Sequence, residues 1–373
     1  MSSIVTFLGK GGTGRTTLAI ATAKKLAAEG KKVLLFGQDS GPALSISLDI
    51  TVTSEPQEIG ANLSVVKLSA TTLLENSWEE VKKLEAQYLR SPTLKQVYGQ
   101  ELGILPGMDG ALALNALREY YQSNKYDVIV YDGTGSMETL RMLGMPEILS
   151  WYFRRFRGIF VESDIVKTLS PFVQPVTSAI LNVSWTPDDF TPDPNNPASQ
   201  MLEKGTEAIE SGKVIAYLVT TPDPVAIATA KYLWGSAQQD GLTVGGLLVN
   251  QGSLTDNISS EFEDNISSEF EPLTVTSIPK MDGADWQTII DELPNLEGVT
   301  DAPKPMLIDT AKRKIKIFLP GFAKKEVKLT QYGPEITVEA GDQRRNITLP
   351  PAWRGSSVTG AKFQNGYLEV TIG

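Results

Sequence analysis

The sequence predicts an α/β fold, a doubly wound and mostly parallel sheet with a helical insertion, joined to a C-terminal all-β sandwich. Three observations carry this. The chain opens on the apolar run of residues 4–8, then Gly9-Lys10-Gly11-Gly12-Thr13-Gly14-Arg15-Thr16-Thr17, then Leu18, Ala21 and Leu26 at helical spacing, which is a strand, a glycine-rich turn and a helix. Short apolar runs next alternate with helical stretches as far as residue 293, the pattern of parallel strands joined by crossovers. From residue 311 to 373 the apolar residues alternate at period two between turn residues, as in half-buried antiparallel strands.

Composition narrows the chemistry. A chain of 373 residues suggests about two to three domains. It contains no cysteine, which excludes disulfides, thiolate metal sites, cysteine nucleophiles and iron–sulfur clusters. It contains no histidine either, so acid–base work falls to carboxylates, lysines or tyrosines. The net charge of −10 is unevenly placed: residues 304–373 carry 12 basic and 6 acidic groups (+6) and residues 1–303 carry 22 and 38 (−16). An acidic body argues against nucleic acid as a partner, and a basic tail can dock on it. The first strand begins by about Ser3 and no run approaches the ~18 apolar residues of a membrane span, so the expectation is a soluble, cytoplasmic protein with no stable membrane insertion.

Taken in order, the opening turn is a phosphate-binding loop, the P-loop of a nucleoside triphosphatase. Glycines let successive N–H groups and a helix N-terminus face one anion. Against the pattern G-x-x-x-x-G-K-[ST], Gly9 and Gly14 fit and Thr16 supplies the Mg²⁺-facing hydroxyl, while Arg15 stands where lysine is expected. Residues Gly9, Lys10, Gly11, Gly12, Thr13, Gly14, Arg15, Thr16 and Thr17 are therefore the candidate set for binding the phosphates of a nucleotide, with Mg²⁺. A second buried strand over residues 32–36 runs into Gly37-Gln38-Asp39-Ser40-Gly41-Pro42. As a parallel strand after a crossover it delivers Asp39 to the carboxyl edge, where ligands bind. Asp39 is a candidate base that orients the water attacking the terminal phosphate, and a further candidate at the metal; it equally suits a turn or N-cap before a helix over residues 43–48.

A short strand over residues 62–68, an amphipathic helix over 70–88 and a helix through 111–121 come next. The apolar strand of residues 126–132 ends in Asp132, the usual way of placing a carboxylate that holds Mg²⁺ through its water shell. Gly133-Thr134-Gly135-Ser136 continues as a loop able to sense a γ-phosphate. Residues 151–212 change character, with aromatics and arginines at 151–156, an apolar stretch at 165–185 broken by Pro171 and Pro175, a proline-rich connector and a helix over 198–211. A strand over 214–220, a helix over 225–240 and a strand over 244–249 restore the α/β pattern. Residues 256–263 and 264–271 are a perfect tandem repeat, both DNISSEFE, too short for a solenoid unit. The expected organisation is an ATPase domain over 1–293 with 151–212 as its helical insertion, a linker over 294–310 and the sandwich over 311–373.

These motifs resemble a known family. KGGxG followed by a basic residue and threonine is the deviant Walker A form of the dimeric SIMIBI ATPases, which include arsenical-pump, tail-anchored-protein-targeting, MinD and nitrogenase-iron proteins. The stretches ILPGMDGALALNALREYY and YDVIVYDGTGSMETLRMLGMPEIL look like the switch II region, with its preceding helix, of the arsenical-pump and tail-anchored-protein-targeting ATPase family. QDSGPA looks like its switch I, usually Asp-Pro-Ala-His; Asp39 matches the acid and the histidine is missing. The resemblance implies a homodimer in which Lys10 reaches the partner's nucleotide, an adenine-reading Asn250, an adenine-side loop at Pro279 and a closing helix over 285–293. It also implies that the helical insertion offers an apolar surface to a hydrophobic polypeptide client, although these can equally be core helices flanking the sheet. LPGF, ITLP and NGYLEVTI resemble the α-crystallin domain of small heat-shock proteins, whose role here is client binding or simple capping.

The resemblance thus implies an ATP-hydrolysing dimeric switch, chaperone-like, that binds or targets a hydrophobic protein. A slow or non-hydrolysing scaffold is the alternative, because Arg15 has a bulkier fork than a lysine ammonium. An anion-pump subunit is disfavoured, since that family's metalloid site uses cysteines, and the Cys-x-x-Cys zinc clasp of the eukaryotic targeting factors cannot form. Partition ATPases are disfavoured too: the chain ends in a strand, with neither a basic face on the body nor a terminal amphipathic helix.

Overall fold

A computed structural model describes residues 2–38, 41–69, 71–73, 75, 108–162, 197–251, 260–281, 285–296, 302–341 and 343–373. Asp39 and most of the stretches at 70–88 and 165–196 lie outside the described residues. In chain order the elements begin with β1 (Ser3–Leu8), α1 (Arg15–Ala28), β2 (Val33–Gly37), α2 (Ala43–Leu48), β3 (Gln57–Gly60), β4 (Leu63–Lys67), α3 (Met108–Gln122), β5 (Val128–Asp132) and α4 (Met137–Glu162). They continue with α5 (Pro197–Glu210), β6 (Val214–Thr220), α6 (Pro224–Gln239), β7 (Thr243–Asn250), α7 (Ser260–Glu269), β8 (Val275–Ile278) and α8 (Gln287–Glu292). The last part is all strand: β9 (Met306–Asp309), β10 (Lys314–Phe318), β11 (Val327–Tyr332), β12 (Glu335–Ala340), β13 (Gln343–Thr348), β14 (Val358–Gln364) and β15 (Tyr367–Ile372). Among the described residues no helix is long and apolar enough to cross a membrane.

The chain divides into two compact units. One comprises Met1–Ser3, Leu26–Gly133 and Arg141–Ala208. Its strands lie in the order β3-β4-β2-β5. β2 runs parallel to both β4 and β5, and only the short β3 is antiparallel. β2 and β5 are buried along their whole length, which is why VLLFG and VIVYD carry no polar–apolar alternation. α3 buries Leu112, Ala113, Ala116 and Leu117, one helical face. α4 carries Pro146 inside the helix; its ring sits where a Cβ on Gly205 of α5 would come within 3.0 Å, so the small residue lets the two helices approach. The same helix runs unbroken through residue 151, where the sequence expectation began the insertion.

The other unit comprises Ile4–Lys25, Thr134–Leu140 and Ile209–Gly373. β1, β6, β7 and β8 lie side by side and all parallel, so Leu8, Thr220, Asn250 and Ile278 end at one edge. Crossover helices join them, and in each unit by itself the strands pair mostly in parallel beside helices, the fold class expected. In the same unit the tail forms two antiparallel sheets, β14-β15-β10-β9 and β11-β12-β13. They close over one core of Ile315, Ile317, Ile336, Val338, Trp353 and Val370 among others, the expected all-β region. β9 lies within residues that the sequence expectation gave to the linker. Its MLID shows no alternation, Leu307 and Ile308 being exposed on this edge strand; what places it is pairing with β10, Ile315 opposite Ile308.

The tail is seated on α6. Trp234 stacks on Phe270 and meets the ring of Phe318 edge-on, at 5.8 and 5.6 Å between centroids. Gly235 faces Pro320 and Phe322 so closely that an added Cβ would lie 2.5 Å from the Pro320 carbonyl oxygen. Phe270, at the end of the duplicated octapeptide, is fully buried. α7 therefore crosses the junction of the two repeats, and Ile266 and Phe270, four apart, turn one face inward.

Candidate functional site

The site is built where the sheet strands end. β1 stops at the buried Leu8 and the chain turns at Gly9, whose Cα lies against the Val219 carbonyl of β6; a Cβ there would overlap that oxygen. Gly12 and Gly14 have φ of +84° and +92°, in the region open to glycine at no steric cost. Thr13, 2% exposed, ties the loop from inside. Its hydroxyl donates to the Lys10 carbonyl at 2.9 Å and its own carbonyl accepts from the Asn250 side-chain amide at 2.9 Å. A Cβ on Gly11 or Gly12 would meet nothing within 4 Å, so the outer side of the loop is open. Among the described residues no backbone carbonyl engages the amides of Gly11, Gly12 or Gly14.

α1 starts at Arg15, so the first-turn amides of Arg15, Thr16 and Thr17 have no intrahelical acceptor, and no acidic side chain occupies that turn. A glycine-rich turn, amides that no backbone carbonyl engages among the described residues and the positive end of a 14-residue helix together make an anion site fit for a polyphosphate. Mg²⁺ beside phosphates needs only one or two protein oxygens, and the hydroxyl of Thr16, in the first turn of α1, is a hard oxygen donor of that kind.

Arg15 does not extend freely. Its guanidinium donates to the Thr134 carbonyl, and a Cβ on Gly135, at φ +60°, would overlap it. The Gly135 carbonyl accepts from the Gly9 amide at 2.9 Å. Thr139 then pins the loop, its hydroxyl 3.0 Å from that of Thr134 and accepting from the Gly135 amide at 3.0 Å. Thr139 is fully buried. The loop expected to sense a γ-phosphate is thus held directly on the phosphate loop.

Lys10 lies on the outer side, and its ammonium donates to Asp223 at 2.7 Å. The other carboxylate oxygen of Asp223 accepts from the Val225 amide at 3.0 Å and caps α6. These bonds, the Lys10 ammonium first and the Val225 amide second, hold the Asp223 carboxyl below the usual carboxylate range. Asn250, expected at the adenine, here braces Thr13, and its added-Cβ neighbour Gly14 lies against it. β8 brings Ile278 opposite Asn250, and the Gln251 amide donates to the Ile278 carbonyl at 2.9 Å, so Pro279 follows at the same sheet edge.

In the other unit Asp132, 5% exposed, ends β5 directly opposite Gly37 of β2. The Gln38 amide donates to its carbonyl at 2.9 Å, and the Tyr131 hydroxyl donates to the Gln38 side chain. Burial pushes the Tyr131 phenol well above its usual range, with Asp132 adding to the effect. The chain leaves Gln38 toward Asp39, which lies outside the described residues. Of the sequence-derived set, Thr13 is bonded to Lys10 and Asn250, Gly14 lies against Asn250, and Gly9 and Arg15 both engage the loop of residues 134–135. Sequence reasoning missed Asp223 and Thr139. The signal for Asp223 was present as Thr221-Pro222-Asp223-Pro224, an N-cap acid followed by proline at the first helical position.

A family model described as anion-transporting ATPase matches residues 2–283, and one described as an HSP20-like domain found in ArsA matches residues 310–372. A protein of Chlorobaculum tepidum named "Putative arsenical pump-driving ATPase" is 27% identical, with 98% of this chain and 95% of the relative covered. "Putative arsenical pump-driving ATPase 1" of Aquifex aeolicus is 25% identical over 98% of this chain and 99% of the relative. An "ATPase ASNA1 homolog" of Plasmodium vivax is 34% identical over a shorter span, 38% of this chain and 36% of the relative.

Proposed function

The chain belongs to the anion-transporting ATPase family and carries that family's HSP20-like domain at its C-terminal end, and on this premise we propose that it is a Mg·ATP-driven homodimeric switch that binds or targets a hydrophobic polypeptide in the cytoplasm. The observation that carries the reading is the phosphate cradle, a glycine turn at the N-terminus of α1 in which, among the described residues, no backbone carbonyl engages the amides of residues 11, 12 and 14. In this reading residues Gly9 to Thr17 hold the phosphates, Thr16, Asp132 and Asp39 serve the metal, and Asn250 and Pro279 flank the base. Bound magnesium would offset the charge that develops on the phosphates. Asp39 orients the attacking water, and Lys10 acts on the nucleotide of the partner subunit. Arg15, engaged by the Thr134 carbonyl, makes hydrolysis slow.

An apolar client is supported by Ile148 and Tyr152, four residues apart on α4 and 43% and 46% exposed, a stripe on one helical face. The anion-pump reading draws on the names of the full-length relatives. The absence of any cysteine weighs against it, because soft thiolates are the ligands that suit a metalloid. The test is phosphate release by wild type and Asp39→Asn. Turnover should fall at least ~10²-fold with ATP affinity kept within about tenfold; equal turnover removes Asp39 from the mechanism.

A further inference from the structure

We infer that Asp223 is a positioning residue that parks Lys10 inside its own subunit, and that the pair must part before Lys10 can serve a second copy of this chain. The inference rests on the reading above, in which Lys10 acts across the dimer. Three features of the single chain carry it. Lys10 and Asp223 meet at 2.7 Å with side chains 43% and 41% exposed, so the pair is reachable and reversible. The Asp223 carboxylate is not free to swing, since its second oxygen is committed to the Val225 amide at 3.0 Å. Among the described residues this carboxylate is the one ion-pair partner of Lys10.

The geometry sets up a competition. The loop after β1 holds Lys10 and the loop after β6 holds Asp223, and these strands are direct neighbours, Leu8 opposite Leu218. A polyphosphate presented by a second subunit offers the ammonium several charges in place of one. An exposed ion pair shifts an equilibrium by about 1.4- to 5-fold per chain, weak enough to yield to that competitor. A dimer breaks two such pairs, so the pairs oppose association by about 2- to 25-fold in total.

Asp223→Asn separates the two roles of this side chain. Asparagine caps a helix about as well as aspartate, so α6 keeps its start, while the charge facing Lys10 is removed. The experiment measures phosphate release per chain in Mg·ATP across a range of protein concentrations, with wild type, Asp223→Asn, Asp223→Ala and Lys10→Ala. The wild type is expected to show specific activity rising with concentration. Asp223→Asn should reach half its plateau at a concentration roughly 2- to 25-fold lower, with its plateau unchanged. In about 1 M salt, where exposed charges are screened, the gap between the two should close. Asp223→Ala loses cap and pair together and should show the same displacement with a lowered Tm, which separates the ion pair from helix stability.

An unmoved or raised half-activity concentration for Asp223→Asn, beside a wild type that is concentration-dependent and a Lys10→Ala that is inactive, overturns this inference and leaves the shared-site reading standing. A wild type whose specific activity is flat with concentration, matched by Lys10→Ala, overturns both.

Discussion

At the scale of the residue, the decisive position is Arg15. It keeps a cation where the phosphate loop has one, but a planar fork with fixed donors is not a compact ammonium. Here the fork is turned onto the Thr134 carbonyl, beside a glycine that has no room for a Cβ. Arg15→Lys should release that contact and raise phosphate turnover by about tenfold, the size of one charge-assisted hydrogen bond gained at the transition state; unchanged or lower turnover would show that the guanidinium already does the work of the lysine. The residues of this loop were legible because spacing alone defines them: Gly9, Gly14 and Thr16 stand at set intervals after an apolar strand. Asp223 and Thr139 were not, because an aspartate before Pro224 and a threonine in a helix's first turn occur at many helix starts, and only the fold brings them beside residues 10 and 135.

At the scale of the element, α6 joins the two halves of its unit. Its first turn presents Asp223 to the phosphate loop and its last turn receives the all-β tail. Arg345 of β13, its side chain 2% exposed, reaches Glu210 at the end of α5 at 3.0 Å, while Glu210 itself stays 45% exposed. The guanidinium also donates to the Gln238 carbonyl at 3.4 Å. The burial is one-sided, so the costs of breaking the pair should be unequal. Glu210→Ala leaves a buried cation without its counter-charge and should lower stability by about 1–3 kcal/mol, whereas Arg345→Met replaces the cation by an apolar side chain of similar length and should cost less than about 1 kcal/mol. Urea unfolding monitored by circular dichroism reads both; equal losses would mean that the pair is not desolvated. The same elements show what a pattern can and cannot announce. α6, β6 and β7 were read within a residue or two, because long buried runs and a capped amphipathic helix have few alternatives. β9 and β14 were not read, since the exposed Leu307 and Ile308 and the small residues of VTGAKFQ are specified by their pairing partners rather than by alternation.

At the scale of the whole molecule, composition and fold agree. The acidic residues 1–303 and the basic residues 304–373 have opposite net charge, −16 and +6, and within one unit the tail does dock on α6. There the LPGF turn sits on the helix: a Cβ on Gly321 would come within 3.2 Å of the Lys231 carbonyl, and Phe322 lies against Gly235. A nucleotide that grips the loop at the other end of α6 therefore acts on an element already fastened to the tail, and ligand binding should stabilise the unit as a cooperative whole. The central claim is that the loop of residues 9–17, through the amides its own backbone leaves unpaired, holds a triphosphate, and titration calorimetry of Mg·ATP into the purified chain tests it most directly. The account predicts a saturable heat with micromolar Kd, and at 100 times Kd a gain of about 2.7 kcal/mol in unfolding free energy. No heat and no rise in Tm at millimolar Mg·ATP would contradict it.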